Sequence, residues 1–210
     1  MEINAKRSWQ KLELLLAANF GKGDLHVVFT YDDEHLPPDR EAAVKLMKKL
    51  IQQLRAHRRA RGQETRYIYV TEQLSSEGGR LHHHMVLNGT GEDLEVLRSL
   101  WPYGEVELEG LDVWQGYEAL AKYLTKEPRE CGRAEPGART WAASIGLKKP
   151  KVESEIVKDN LTVAAPPGAI ILSAPPPARN EFGEFVMLKY YLPRREEKKG
   201  TRPPRRRRRE

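Results

Sequence analysis

Along the first two thirds of the chain, apolar residues recur with two distinct spacings, and the changes between them mark the elements. Residues 24–31, DLHVVFTY, are rich in β-branched and aromatic side chains, and the DDEHLPPD that follows stacks turn-formers with two prolines, which predicts a strand leaving into a loop. Asp39 can cap a helix in which Val44, Met47, Leu50, Ile51 and Leu54 recur at helical spacing, running to about Ala60. Tyr67 to Glu72 reads as a second strand and His82 to Asn88 as a third. The intervening loop, Gln73 to Arg80, carries Gly78 and Gly79 and suits a hairpin. A short helix over Glu92 to Trp101, a strand over Val106 to Val113 broken by Gly110, and a helix over Gln115 to Lys126 complete the pattern. The order β-α-β-β-α-β-α predicts an α+β domain: an antiparallel sheet of ferredoxin-like or RRM-like type with helices, the last helix being an addition.

Past Pro150 the periodicity weakens and proline-rich stretches appear at 164–167 and 175–177, although 169–172 and 185–192 could each form a strand. The expected organisation is a catalytic domain over 1–150, an accessory segment over 151–193 and a disordered basic tail over 194–210. The tail holds ten Lys/Arg against three Glu, a balance of +7, so with a net charge of +6 the first 193 residues stand at −1. Such a run suits a solvated tail or an arm for nucleic acid. Between Lys45 and Gln63 there are also seven Lys/Arg and no carboxylate, either a solvated face or a ridge that contacts phosphates.

Composition narrows the class further. At 39% hydrophobic and 31% charged the chain reads as a soluble protein, and its single cysteine, Cys131, cannot form an intramolecular disulfide. The start, residues 1–10, has no apolar h-region and no window reaches a membrane span, so a cytoplasmic location, within a bacterial host, is the expectation. No phosphate-binding loop of the G-x-x-x-x-G-K-[ST] type occurs, so ATP-driven unwinding is expected from another protein.

The chemistry concentrates in two strands and one helix. Side chains alternate faces along a strand, so His82 and His84 project together while His83, Met85 and Leu87 project to the other side. Two imidazoles joined by a carboxylate can hold Mg²⁺ or Mn²⁺ against a phosphate. Glu72 is the expected third ligand, because it ends the preceding strand and shares parity with Ile68 and Val70, where a lone carboxylate would be costly. On the last helix Tyr117, Leu120, Ala121 and Leu124 form one apolar stripe, with Tyr123 about 110° from its centre. Tyr117 is therefore expected in the core, and Tyr123 at a cleft edge with the Lys126 ammonium beside it.

These residues resemble the HUH endonucleases, and within them the short replication initiators of small bacteriophages, plasmids and prophages. The likeness spans roughly 25–150. HVVFTYDDEHLP at 26–37 is similar to the family's first strand motif, RYIYVTEQ at 66–73 to its glutamate strand, GRLHHHMVLNG at 79–89 to its His-hydrophobic-His strand and ALAKYLTKE at 119–127 to its tyrosine helix. Segments 138–150 and 180–193 are similar to other stretches of such initiators, with no chemistry attached. The resemblance implies Glu72, His82 and His84 as metal ligands, Tyr123 as nucleophile and Lys126 as an assisting residue in a Y-x-x-K motif. It implies a metal-dependent nickase that joins Tyr123 to the 5′ phosphate of single-stranded DNA at a replication origin, exposed at a hairpin, with a host helicase and polymerase as partners. Two departures matter. Ala119 stands four residues before Tyr123, where two-tyrosine relatives have their other tyrosine, and His83 occupies the middle position expected to be bulky and apolar, so the register rests on parity. The alternatives are a single-tyrosine HUH transposase, and a non-catalytic RRM-like nucleic-acid binder that would stack bases on Tyr67, Tyr69 and the histidines.

Overall fold

The computed structural model of the chain describes residues 2–73, 80–112, 116–126, 141–151, 153, 156 and 162–192. The central loop of the expected hairpin, the residues around Cys131 and the basic tail at 194–210 lie outside this set. Contacts divide the chain into one unit over residues 1–154 and a second over 155–210.

The first unit opens with α1 (Glu2–Asn19) and β1 (Leu25–Phe29), followed by α2 (Arg40–Arg59), β2 (Tyr67–Glu72) and β3 (His82–Leu87). After these come α3 (Asp93–Leu100), β4 (Val106–Gly110), α4 (Glu118–Leu124) and the two-residue β5 (Ala142–Ala143). The strands form a five-stranded sheet in the order β4-β1-β3-β2-β5, every neighbouring pair antiparallel. The first four positions are the order expected of a ferredoxin-like α+β sheet. Asp39 caps α2, its carboxylate accepting from the Ala42 amide at 2.8 Å.

Period-two alternation sends each strand's residues to two different cores. Val27, Phe29, Tyr67, Tyr69, Met85 and Leu87 pack with Met47, Leu50 and Leu54 of α2 and with Leu97 of α3. On the opposite face Ile68, Val70 and Val86 pack with Leu12 and Leu16 of α1 and with Ala121 and Leu124 of α4. The sheet is thus covered by helices on both sides. The covering contributed by α1 was not part of the expected element order, because its Leu12, Leu14, Leu15 and Leu16 form a cluster rather than a clean stripe. Leu14 stays half exposed. α4 is shorter than expected at its start, since Gly116 has φ 70°, a left-handed conformation incompatible with a helix interior. β4 likewise stops at Gly110.

One cation assigned to the basic outer face of α2 belongs to the core instead. Arg58 is 1% exposed and donates to the Asn88 side-chain and main-chain oxygens and to Asp93 Oδ1 at 2.6 Å. Asp93 in turn accepts from the Thr90 amide and hydroxyl. Burial alone would raise the Asp93 carboxyl, but the Thr90 hydrogen bonds and the Arg58 charge outweigh it and hold it below its ordinary value. Removing one member leaves a buried charge without its partner, so Asp93→Ala should destabilise the protein by about 3–5 kcal/mol in chemical denaturation. A loss within a few tenths of a kcal/mol would mean that Arg58 finds solvent or another partner.

In the second unit β6 (Ile170–Ser173) pairs antiparallel with β9 (Lys189–Tyr191), and β7 (Ala178–Asn180) with β8 (Gly183–Phe185). The expected strand over 185–192 is therefore divided between the end of β8 and β9. No helix among the described residues is long and apolar enough to cross a membrane.

Candidate metal centre and tyrosine

Antiparallel register brings the polar residues of the α1/α4 face together. Glu72 stands directly across from His82, and Val70 from His84, so the carboxylate at the end of β2 reaches both imidazoles. Glu72 Oε2 lies 3.0 Å from His82 Nε2 and 2.9 Å from His84 Nε2. One ligand atom from each of the three residues can be chosen so that all lie within 4.8 Å of one another. The other ring nitrogens are already engaged: His82 Nδ1 with the Arg80 carbonyl at 3.0 Å, and His84 Nδ1 with His26 Nε2 at 3.3 Å. Both Nε2 atoms are thereby aimed at the same carboxylate.

Glu72 and His84 are each 3% exposed, whereas His82 opens to solvent at 21%. Burial would raise the Glu72 carboxyl, but hydrogen bonds from His82 and His84 and the charges of His84 and Lys126 hold it at about 2. Burial would lower His82, yet its bonds to Glu72 and to the Arg80 carbonyl raise it above the ordinary histidine value. The site therefore gathers positive charge around one buried anion. One carboxylate and two imidazoles converging from rigid strands, with an open side at His82, is a donor set suited to a divalent cation that keeps free positions for substrate.

α4 supplies the remaining two residues. Tyr123 is 42% exposed, and its hydroxyl lies 3.5 Å from His84 Nε2. Lys126 Nζ sits 3.7 Å from the centre of the Tyr123 ring and 3.3 Å from Glu72 Oε1, tying the tyrosine helix to the carboxylate. Tyr117, by contrast, is buried and donates its hydroxyl to the Phe20 carbonyl at 2.8 Å. An open cleft of about 670 Å³ borders the site, lined by His26 and Val28 of β1, Glu107 and Glu109 of β4, and Leu120 and Tyr123 of α4. Glu72, His82, His84, Tyr123 and Lys126 thus stand in one cluster. To these the structure adds His26, to which the sequence reading gave no role. Its parity with Val28 marks its face, but only the pairing of β1 with β3 brings it to His84.

The middle histidine of the triplet faces the other core. His83 is fully buried, with Nε2 2.7 Å from the Tyr31 hydroxyl and Nδ1 2.9 Å from Thr71 Oγ1. Burial, with the charges of His82, His84 and Arg40, lowers it to about 3. Unfolded, it titrates near 6.5, so between pH 6.5 and 3 the unfolded chain binds the extra proton and the folded one does not. Through this residue stability should fall as pH drops across that window, by up to about 1.4 kcal/mol per pH unit. Urea midpoints measured from pH 7 to 4 should decline less steeply in His83→Phe, and that variant should keep the Mn²⁺ binding that His82→Ala and His84→Ala lose. The reverse pattern of metal loss would overturn the register.

The family model for replication-associated proteins of the ORF2 type matches residues 24–128, half of the chain, from the residue before β1 to just past Lys126. The chain belongs to that family. Every residue of the cluster falls inside the match, whereas α1 and β5 fall outside it. No curated protein and no solved structure matches the chain. Membership makes this a replication-associated protein, and the Glu72, His82 and His84 cluster is compatible with a bound metal ion.

Proposed function

We propose that this protein is a nickase that initiates rolling-circle replication, cutting single-stranded origin DNA through a covalent 5′-phosphotyrosine on Tyr123. The observation that carries the reading is the Tyr123 hydroxyl 3.5 Å from His84 Nε2, at the rim of the Glu72, His82 and His84 cluster. A divalent cation, Mg²⁺ or Mn²⁺, held by those three residues supplies Lewis-acid polarisation of the scissile phosphate. The chain's own residues do the rest. Glu72 and the two imidazoles fix the donor geometry from paired strands, while Tyr123, on the cleft wall, presents its hydroxyl for in-line attack. Lys126, pinned between the Glu72 carboxylate and the Tyr123 ring, orients the phenol and places positive charge beside the reacting phosphate.

In the transfer a bond forms between the Tyr123 oxygen and phosphorus, and the bond from phosphorus to the 3′ oxygen breaks. The phenolic proton passes to solvent and the departing oxygen gains one, leaving a 3′-hydroxyl that primes a host polymerase. Attack by a 3′-hydroxyl on the phosphotyrosine reverses the exchange and reseals the strand, so neither transfer consumes ATP. A host helicase supplies unwinding in this reading, and the substrate is a strand exposed at an origin hairpin.

The base-stacking alternative loses two of its proposed platforms, because Tyr67 and Tyr69 are buried beneath α2 rather than displayed. The decisive assay incubates the protein with labelled stem-loop DNA and Mn²⁺. The reading requires a metal-dependent species carrying the 5′ fragment, stable to denaturation and destroyed by protease. Binding without such a species would favour a non-catalytic role.

A further inference from the structure

His26 is a histidine in the middle of an otherwise apolar strand, with no part in the transfer as derived above. Its Nε2 lies 3.3 Å from His84 Nδ1, the ring planes are 20° apart and the ring centres are 5.3 Å apart. Nitrogens this close with centres this far place the rings edge to edge and nearly coplanar, the geometry of an imidazole-to-imidazole hydrogen bond. The edge of Tyr123 closes over both rings, at 5.0 Å from His84 and 6.3 Å from His26.

We propose that His26 is a positioning residue that holds His84 in the tautomer and ring orientation needed to ligate a divalent cation. The inference rests on the metal-site reading above. To offer the Nε2 lone pair to a cation, a neutral His84 ring must carry its proton on Nδ1, and that N–H requires an acceptor. For His82 the acceptor is the main-chain carbonyl of Arg80, which no side-chain substitution removes. For His84 it is the His26 side chain. The two ligands are therefore supported unequally, and the deeper one depends on a single residue of the neighbouring strand. Because His26 also lines the cleft, the same ring that orients the ligand faces the space beside Tyr123.

The test measures Mn²⁺ dissociation constants by electron paramagnetic resonance on the full chain without DNA, for the wild type, His26→Phe and His26→Gln. Phenylalanine keeps the ring and removes the acceptor, whereas the glutamine amide oxygen can stand where Nε2 stood. The expected result is affinity weakened about 10- to 100-fold in His26→Phe and restored to within about threefold in His26→Gln. His26→Leu serves if the Phe variant fails to fold. In the Mg²⁺-loaded wild type, ¹⁵N spectra should place the His84 proton on Nδ1. Unchanged Mn²⁺ affinity in His26→Phe, or Gln as weak as Phe, would overturn the inference and leave the metal site standing. A wild type that binds no Mn²⁺ would remove the metal reading and this inference with it.

Discussion

Tyr123→Phe is expected to abolish both the covalent adduct and the nick while leaving the protein folded and able to bind Mn²⁺ and single-stranded DNA. The substitution removes one oxygen. That oxygen makes a single long contact, 3.5 Å to His84 Nε2, and the ring is 42% exposed, so little packing depends on the hydroxyl. The ring keeps its edge against His84 and its face under Lys126. Tyr117→Phe behaves oppositely, losing a buried hydrogen bond to the Phe20 carbonyl and hence about 1 kcal/mol of stability, with the adduct still formed. Lys126→Ala should slow the transfer without stopping it, because the nucleophile remains. On a denaturing gel of labelled substrate, an adduct that persists in Tyr123→Phe but vanishes in Tyr117→Phe would move the nucleophile. An adduct lost in neither would end the tyrosine mechanism.

What the sequence made legible and what it hid follow from the range of the interactions. Strand parity separates His82 and His84 from His83 and joins Glu72 to Ile68 and Val70, because alternation is a local property of an extended chain. The α2 boundary was equally readable, since its signal, Asp39 followed by a helical stripe, lies within a few residues. His26 was not readable. It meets His84 across 58 residues of sequence, and nothing local to β1 reports that β3 will be its neighbour. Arg58 shows the same limit with the opposite sign: its seven-cation neighbourhood suggested an outer face, but the helical phase carries it inward to Asp93, 35 residues away. β5 is too short to carry a period, and its two residues become a strand only by pairing with Ile68 and Tyr69.

Glu72→Gln carries the second large effect, since Glu72 is the carboxylate shared by His82, His84 and Lys126. The amide keeps the shape and can still hydrogen-bond, so the fold should survive near neutral pH. It brings no charge, however, and an uncharged oxygen among three nitrogen groups is a poor ligand for a hard divalent cation. Mn²⁺ affinity should fall by more than about 100-fold, beyond the usual effect of altering an outer hydrogen-bond partner. The same substitution should change the acid limb of stability in the metal-free protein. In the wild type the carboxyl titrates at about 2 when folded and near 4.5 when unfolded, so it contributes stability above pH 4.5 that is lost as the pH falls toward 2. Glutamine does not titrate, and that component of the decline should be absent from its unfolding curves. The two readouts separate the possible faults. Wild-type Mn²⁺ affinity in Glu72→Gln would remove the carboxylate from the ligand set, even if the acid limb changed as expected. Lost affinity with an unaltered acid limb would keep the ligand and contradict the charge-gathering role that the hydrogen bonds from His82 and His84 give this residue.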